Sequence, residues 1–177
     1  MRKANQIKYI VLHCSAGFGN IESMRAFWKS KGWLRVGYHI VVDLEGNPHV
    51  LLPFDQVSNG VLGFNTESIN ICYIGGVENV GTAKKPIWKG KDTRTEQQKI
   101  ALQNAVVKAV EWLRENGNDC SNVTILGHRD FSPDQNGNGK IESWERIKEC
   151  PSFDVIPEFA GMQNALNNKV ATLPKKK

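Results

Sequence analysis

The residues most able to do chemistry stand at the ends of apolar runs or beside stiff turns. His128 follows the apolar run 123–126, and Cys150 is followed directly by Pro151. Between them lies a loop dense in Asp, Asn and Gly that ends on Lys148. A histidine and a cysteine on the two rims of one loop, with a lysine between them, suit either a metal site or a thiol catalyst. Both need a third partner. His13 offers one at the end of the other strongly apolar run, 9–12. Zinc takes N and S donors in a tetrahedron, and a catalytic zinc keeps one corner for water. His13, His128 and Cys150 would fill three corners. Their spacing matches no short ligand motif, so two core histidines and a buried thiol remain the plain alternative.

The elements that would carry these residues follow from periodicity. Residues 7–12 are nearly all apolar, as in a strand buried on both faces. Alternation then puts Tyr9, Val11 and His13 on one face and Ile10, Leu12 and Cys14 on the other, which separates Cys14 from the His13 site. Residues 22–31 predict an amphipathic helix with Met24, Phe27 and Trp28 as its stripe, closed by Gly32. A strand is expected over 36–42, with Tyr38 and His39 on opposite faces, then a turn at Glu45-Gly46-Asn47 and a hairpin return over 49–52. Residues 69–74 predict a further buried strand, and 77–92 an exposed loop without period. Thr95 opens the longest helix, to about residue 116, with Leu102, Val106, Ala109, Val110 and Leu113 facing the core. A strand over 123–127, a short helix over 143–149 and a C-terminal helix over 157–167 (Phe159, Met162, Leu166 inward) complete the chain. Strands interleaved with helices predict an α/β fold: a central mixed sheet flanked by helices on both faces.

The totals set bounds. The 177 residues suit a single domain, with its core over about 7–155 and a helix and basic tail over 156–177. Apolar content of 40% and charged content of 23% are ordinary for a globular protein. No apolar run approaches the ~20 residues of a membrane span, and the start shows no secretory h-region, so synthesis in the cytoplasm is expected. Cys14, Cys72, Cys120 and Cys150 show no close pairing and are expected as buried thiols or ligands. The net charge is +5, with lysines at 175–177 contributing. No nucleic-acid motif accompanies it, so nucleic acid is not expected as a partner.

The local sequences narrow the choice. IVLHCSA around His13, GWLRVGYHIVVDLEGN around Tyr38, SINICYIGG, LGHRD around His128 and KECPSFD at 148–154 occur in this order. Together they resemble the zinc-dependent N-acetylmuramoyl-L-alanine amidases of the type-2, phage-lysozyme-like kind, which share a fold with peptidoglycan recognition proteins. The resemblance covers about 7–154. It implies that His13, His128 and Cys150 ligate zinc, that Tyr38 and Lys148 assist catalysis, and that peptidoglycan is the partner; separately, a monomer is expected. Relatives often carry a histidine-containing segment before the strand at 69–74, where this chain has Ser58-Asn59-Gly60 and Gly63-Phe64-Asn65; this bears on substrate contacts. His39 is expected as a supporting or core residue, and His49 carries no signal.

A second ion is suggested by residues 134–145. They fit the calcium-loop pattern D-x-[DN]-x-[DN]-G-x5-E. Asp134, Asn136 and Asn138 would offer side-chain oxygens, Lys140 its carbonyl, Glu142 a water-mediated contact and Glu145 a bidentate one. No helix precedes the loop, and an Asx/Gly-rich surface turn is the alternative. Two other functions compete with a zinc amidase: a non-catalytic binding module of the same fold, expected to lack the thiol ligand, and a Cys–His hydrolase. Pro151 argues against the latter, because it removes an N–H that could serve an oxyanion.

Overall fold

The computed structural model describes residues 1–167. The basic tail expected at 175–177 lies outside them. The centre is a five-stranded sheet made of β1 (Tyr9–Cys14), β2 (Ile40–Val42), β3 (Pro48–Val50), β4 (Ser68–Tyr73) and β7 (Thr124–Gly127), in the order β3-β2-β4-β1-β7. β2, β4, β1 and β7 run parallel, and β3 pairs antiparallel with β2 as a hairpin. The sheet is therefore mixed, as the sequence predicts.

Strand alternation decides what each face buries. Ile10, Leu12, Ile40, Val42, Ile69, Ile71 and Tyr73 join one core with Leu102, Val106, Ala109 and Leu113 of α2 (Glu96–Glu115). Thr95 caps α2 by accepting the Gln98 N–H at 3.1 Å, and the buried Gln98 amide donates to the carbonyls of Asp43 and Ile74. Phe159 and Leu166 close the same core from the C-terminal segment. The opposite face carries Val41 and Cys72, packed against Ile21 and Met24 of α1 (Ile21–Ser30) and against Tyr38. Asn20 caps α1 by accepting the Ser23 N–H at 2.9 Å.

Several expected boundaries shift. The second strand starts only at Ile40; Gly37 lies against the Trp28 indole, and the Tyr38 ring turns toward the site. Within 77–92 there is a hairpin, β5 (Val77–Asn79) with β6 (Trp88–Gly90), and not a plain loop. Its short strands mix Glu78, Asn79 and Lys89 with apolar residues, so alternation gives no signal. The helix expected over 143–149 is one 3-10 turn at Ser143–Glu145; the Ile147 N–H bonds to Ser132 Oγ instead of continuing the helix. The C-terminal helix breaks into α3 (Val155–Glu158) and α4 (Ala160–Asn167) around the buried Phe159. Phe27, expected in the α1 stripe, is 54% exposed, leaving Trp28 as the buried anchor.

Candidate metal centre

His13 is the penultimate residue of β1 and is fully buried, on the face opposite Leu12 and Cys14. β7 lies beside β1 in parallel register, Leu12 against Gly127, so the chain leaves β7 at the level of His13. His128 then opens a 3-10 turn, His128–Phe131, fastened by the Gly127 N–H to Asp130 Oδ2 at 2.7 Å. The imidazole rings of His13 and His128 stand 4.9 Å apart. Both sit at the carboxyl ends of parallel strands, where α/β sheets place their sites.

Cys150 is brought in by its backbone. The Arg129 N–H donates to the Cys150 carbonyl at 2.8 Å, and the Tyr73 hydroxyl donates to the Pro151 carbonyl at 2.8 Å. Gly127 permits the approach: a Cβ there would stand 2.7 Å from Pro151 Cδ and 3.1 Å from Val155 Cγ2. The Cys150 sulfur lies 3.8 Å from His13 Nδ1 and accepts the Cys14 N–H at 3.2 Å. One ligand atom each from His13, His128 and Cys150 falls within 4.8 Å of the others. A tetrahedral zinc, with Zn–S about 2.3 Å and Zn–N about 2.0 Å, spaces its N and S donors roughly 3.5 Å apart. The donor set and its spacing fit such an ion. Cys14, as alternation requires, turns its side chain to the other face, yet its thiol stays within hydrogen-bonding reach of Cys150.

Electrostatics agree with a ligand role. Burial, helped by the neighbouring His128 and by Lys148, holds His13 well below the usual imidazole range. Burial and Lys148 bring His128 down to about 4. Both rings are therefore neutral with a lone pair to give. Burial pushes the Cys150 thiol up. A cation at this point would reverse that, because a coordinating thiol loses its proton.

The remaining expected residues gather nearby. The Tyr38 ring lies 4.9 Å from His13 and 5.7 Å from Trp28. Burial, with the buried Cys72 beside it, pushes the Tyr38 phenol well above its usual range, so it keeps its proton. Lys148 is exposed and, with His128, lines a cleft of about 570 Å³ walled by Trp33, Leu62, Phe64 and Phe131. A larger hollow of about 720 Å³ beside Arg2, Asp55 and Glu67 is remote from the donors. His39 is buried away from them, bonded to Ser58 and to the Asn70 N–H. His49 pairs with Asp43 at 2.8 Å.

The family model for N-acetylmuramoyl-L-alanine amidases (Amidase_2) matches residues 3–152. The chain belongs to that family. This amidase is 27% identical to the endolysin of Enterobacteria phage K11 over 157 residues, 86% of this chain and 85% of that one. It is 32% identical to the endolysin of Escherichia phage T7 over 150 residues, 82% and 81% of the two chains. Its fold is similar to that of N-acetylmuramoyl-L-alanine amidase LysC from Clostridium intestinale, with a TM-score of 0.60 at 19% identity over 91% of this amidase and 87% of LysC. All four cysteines are free, and Cys14, Cys72 and Cys120 are buried. No helix among the described residues is long and apolar enough to cross a membrane.

Side-chain oxygens of the loop at 134–145 accept hydrogen bonds from the loop's own amides. Asp134 accepts the N–H groups of Gly137 and Gly139, Asn136 that of Asn138, and Asn138 that of Lys140. Glu145, 2% exposed, accepts from the amides of Gln135, Asn136 and Glu142, and the Glu142 carboxylate takes the Trp144 indole N–H. Sequence reasoning missed Asn70 and Ser58. The signal was present: Asn70 is a polar residue inside the apolar run of β4, on the His13 face, and a buried carboxamide must be hydrogen-bonded.

Proposed function

We propose that His13, His128 and Cys150 hold one Zn2+ and that the amidase hydrolyses the bond between the lactyl group of N-acetylmuramic acid and L-alanine in peptidoglycan. The observation that carries this reading is the convergence of the three ligand atoms within 4.8 Å beside a cleft. A bound zinc would lower the pKa of water toward ~7 and polarise the scissile carbonyl. Lys148 sets an ammonium at the mouth of the cleft, where it offsets negative charge growing on the carbonyl oxygen. Tyr38, packed on His13 and Trp28, holds or relays the proton of the attacking water, as a general base or by orienting it. Trp33, Leu62, Phe64 and Phe131 shield one side of the bound substrate from water. All five polar residues come from one chain, so a monomer suffices. Its site of action would be the cell wall.

A thiol hydrolase is disfavoured by the same geometry. A buried thiol raised above its usual range is a weak nucleophile, and Pro151 offers no N–H to an oxyanion. Chelation by phenanthroline, followed by zinc, separates the alternatives. The zinc amidase loses and regains release of stem peptide from peptidoglycan, a thiol enzyme is indifferent, and a binding module releases nothing at any stage.

Calcium is carried as a separate proposal for 134–145. The residue pattern and the left-handed Gly139 (φ 80°) support it. Only Asp134 and Glu145, besides Glu142, bring negative charge to these positions, which predicts modest affinity. Titration calorimetry on the intact protein showing one calcium site, lost in Glu145→Gln, would support it; no calcium-dependent heat would remove it.

A further inference from the structure

Asn70 lies in the middle of β4 with no exposed surface, on the same face as His13. We propose that Asn70 is a positioning residue whose carboxamide fixes the tautomer of His13, leaving Nδ1 free for the metal, and that Ser58 and His39 fix the direction of that carboxamide. The inference rests on His13 being a metal ligand.

The direction can be traced from one unambiguous donor. The backbone N–H of Asn70 donates to His39 Nδ1 at 2.9 Å, so that nitrogen carries no proton. Burial lowers His39 to about 4, so its ring is neutral and its single proton sits on Nε2, 3.0 Å from the Gln56 carbonyl. Arg2 Nη2 also lies 3.0 Å from that nitrogen, but a neutral ring whose Nδ1 accepts must keep its proton on Nε2 and cannot accept there; Arg2 donates from Nε to the Phe54 carbonyl and from Nη1 to those of Asn65 and Ser68. Ser58 Oγ, 3.1 Å from the bare Nδ1, donates to it. The same oxygen accepts the Asn70 Nδ2–H at 2.8 Å. The carboxamide therefore turns Oδ1 to His13, 2.9 Å from Nε2, and Nε2 must be the donor. The lone pair remains on Nδ1, the nitrogen facing Cys150. A reversed carboxamide would donate to Nε2 and drive the proton onto Nδ1, blocking it.

The space for this arrangement depends on Gly60. A Cβ there would stand 2.2 Å from Asn70 Cγ and 2.4 Å from Oδ1. Gly60 and Asn70 thus form a fitted pair.

Partners that orient a ligating histidine typically contribute about 10–100-fold to metal affinity. Long-range 1H–15N spectra of the metal-free protein read the His13 tautomer, and competition with a chromophoric chelator reads zinc affinity. The wild type is expected to hold His13 with its proton on Nε2. Asn70→Leu, similar in size but unable to accept, is expected to lose about 10–100-fold in zinc affinity. Asn70→Asp, which keeps the acceptor, should stay near wild type. If Asn70→Leu does not fold, Ser58→Ala decides, and the Nδ1–H form should become populated. An unchanged tautomer in Ser58→Ala, or unchanged zinc affinity in a folded Asn70→Leu, overturns the proposal. A wild type that binds no zinc would sink the metal reading itself. A wild type that binds zinc but holds Nδ1–H in the metal-free form would sink only the role of Asn70.

Discussion

At the scale of single residues, the site separates groups that hold from groups that act. Lys148 touches no core, so Lys148→Ala should leave stability within about ±0.5 kcal/mol. It should lower kcat by about 10²–10³ if its charge meets the growing oxyanion. Denaturant unfolding and steady-state turnover on the same preparation check both halves, and an unchanged kcat removes Lys148 from catalysis. Tyr38→Phe keeps the ring that packs on Trp28 and His13 but loses the donor. A drop of about 10² in kcat with intact zinc content is expected, and undiminished turnover would return Tyr38 to a purely structural role. His13 and His128 ended apolar runs and Cys150 stood beside Pro151, which made them candidates, but their spacing left two core histidines and a buried thiol open, and the resemblance chose the set. Asn70 was legible only as a polar residue inside an apolar run; which neighbour it faces across β4 and β1 cannot be read from a single sequence.

At the scale of elements, the proposed metal centre depends on two segments meeting at the end of β7. The contact between Gly127 and Pro151 sets how near Cys150 comes to His128. Gly127→Ala should overpack this junction, destabilise the protein by about 1–3 kcal/mol and weaken zinc binding. Thermal unfolding together with zinc titration checks it, and wild-type behaviour in both would show that the segment has slack. Long apolar or strongly periodic elements were readable: β1, β4 and α2 fall close to where alternation and capping put them, and the β2–β3 hairpin is present with shorter strands. The hairpin within 77–92 was not, because three-residue strands of mixed polarity are held by each other and by the Lys91 N–H to the Gly76 carbonyl. The missing helix beyond Ser143–Glu145 has a similar cause. Tertiary partners, Ser132 for Ile147 and the loop amides for Glu145, outbid local propensity.

At the scale of the whole molecule, buried neutral histidines make the fold sensitive to acid. His39 titrates near 6.5 when unfolded and about 4 when folded, so the unfolded chain binds the extra proton between those values. Stability is full above the upper value and falls as pH drops through the window, by up to about 1.4 kcal/mol per pH unit for this one group. Metal-free His13 and His128, lowered in the same sense, steepen the slope. Urea unfolding of the metal-free protein between about pH 7 and 5.5 stays above the range where most carboxylates titrate, and a flat profile there would contradict the assignment. The layered α/β architecture followed from the order of the elements, whereas the approach of residue 150 to residue 13 is a property of the folded chain alone. The decisive measurement is metal content and product release on the same samples, wild type and Cys150→Ser. The account predicts about one zinc per chain and stem peptide freed from peptidoglycan by the wild type, with both lost in the variant. Hydrolysis that persists in a sample free of zinc would contradict it.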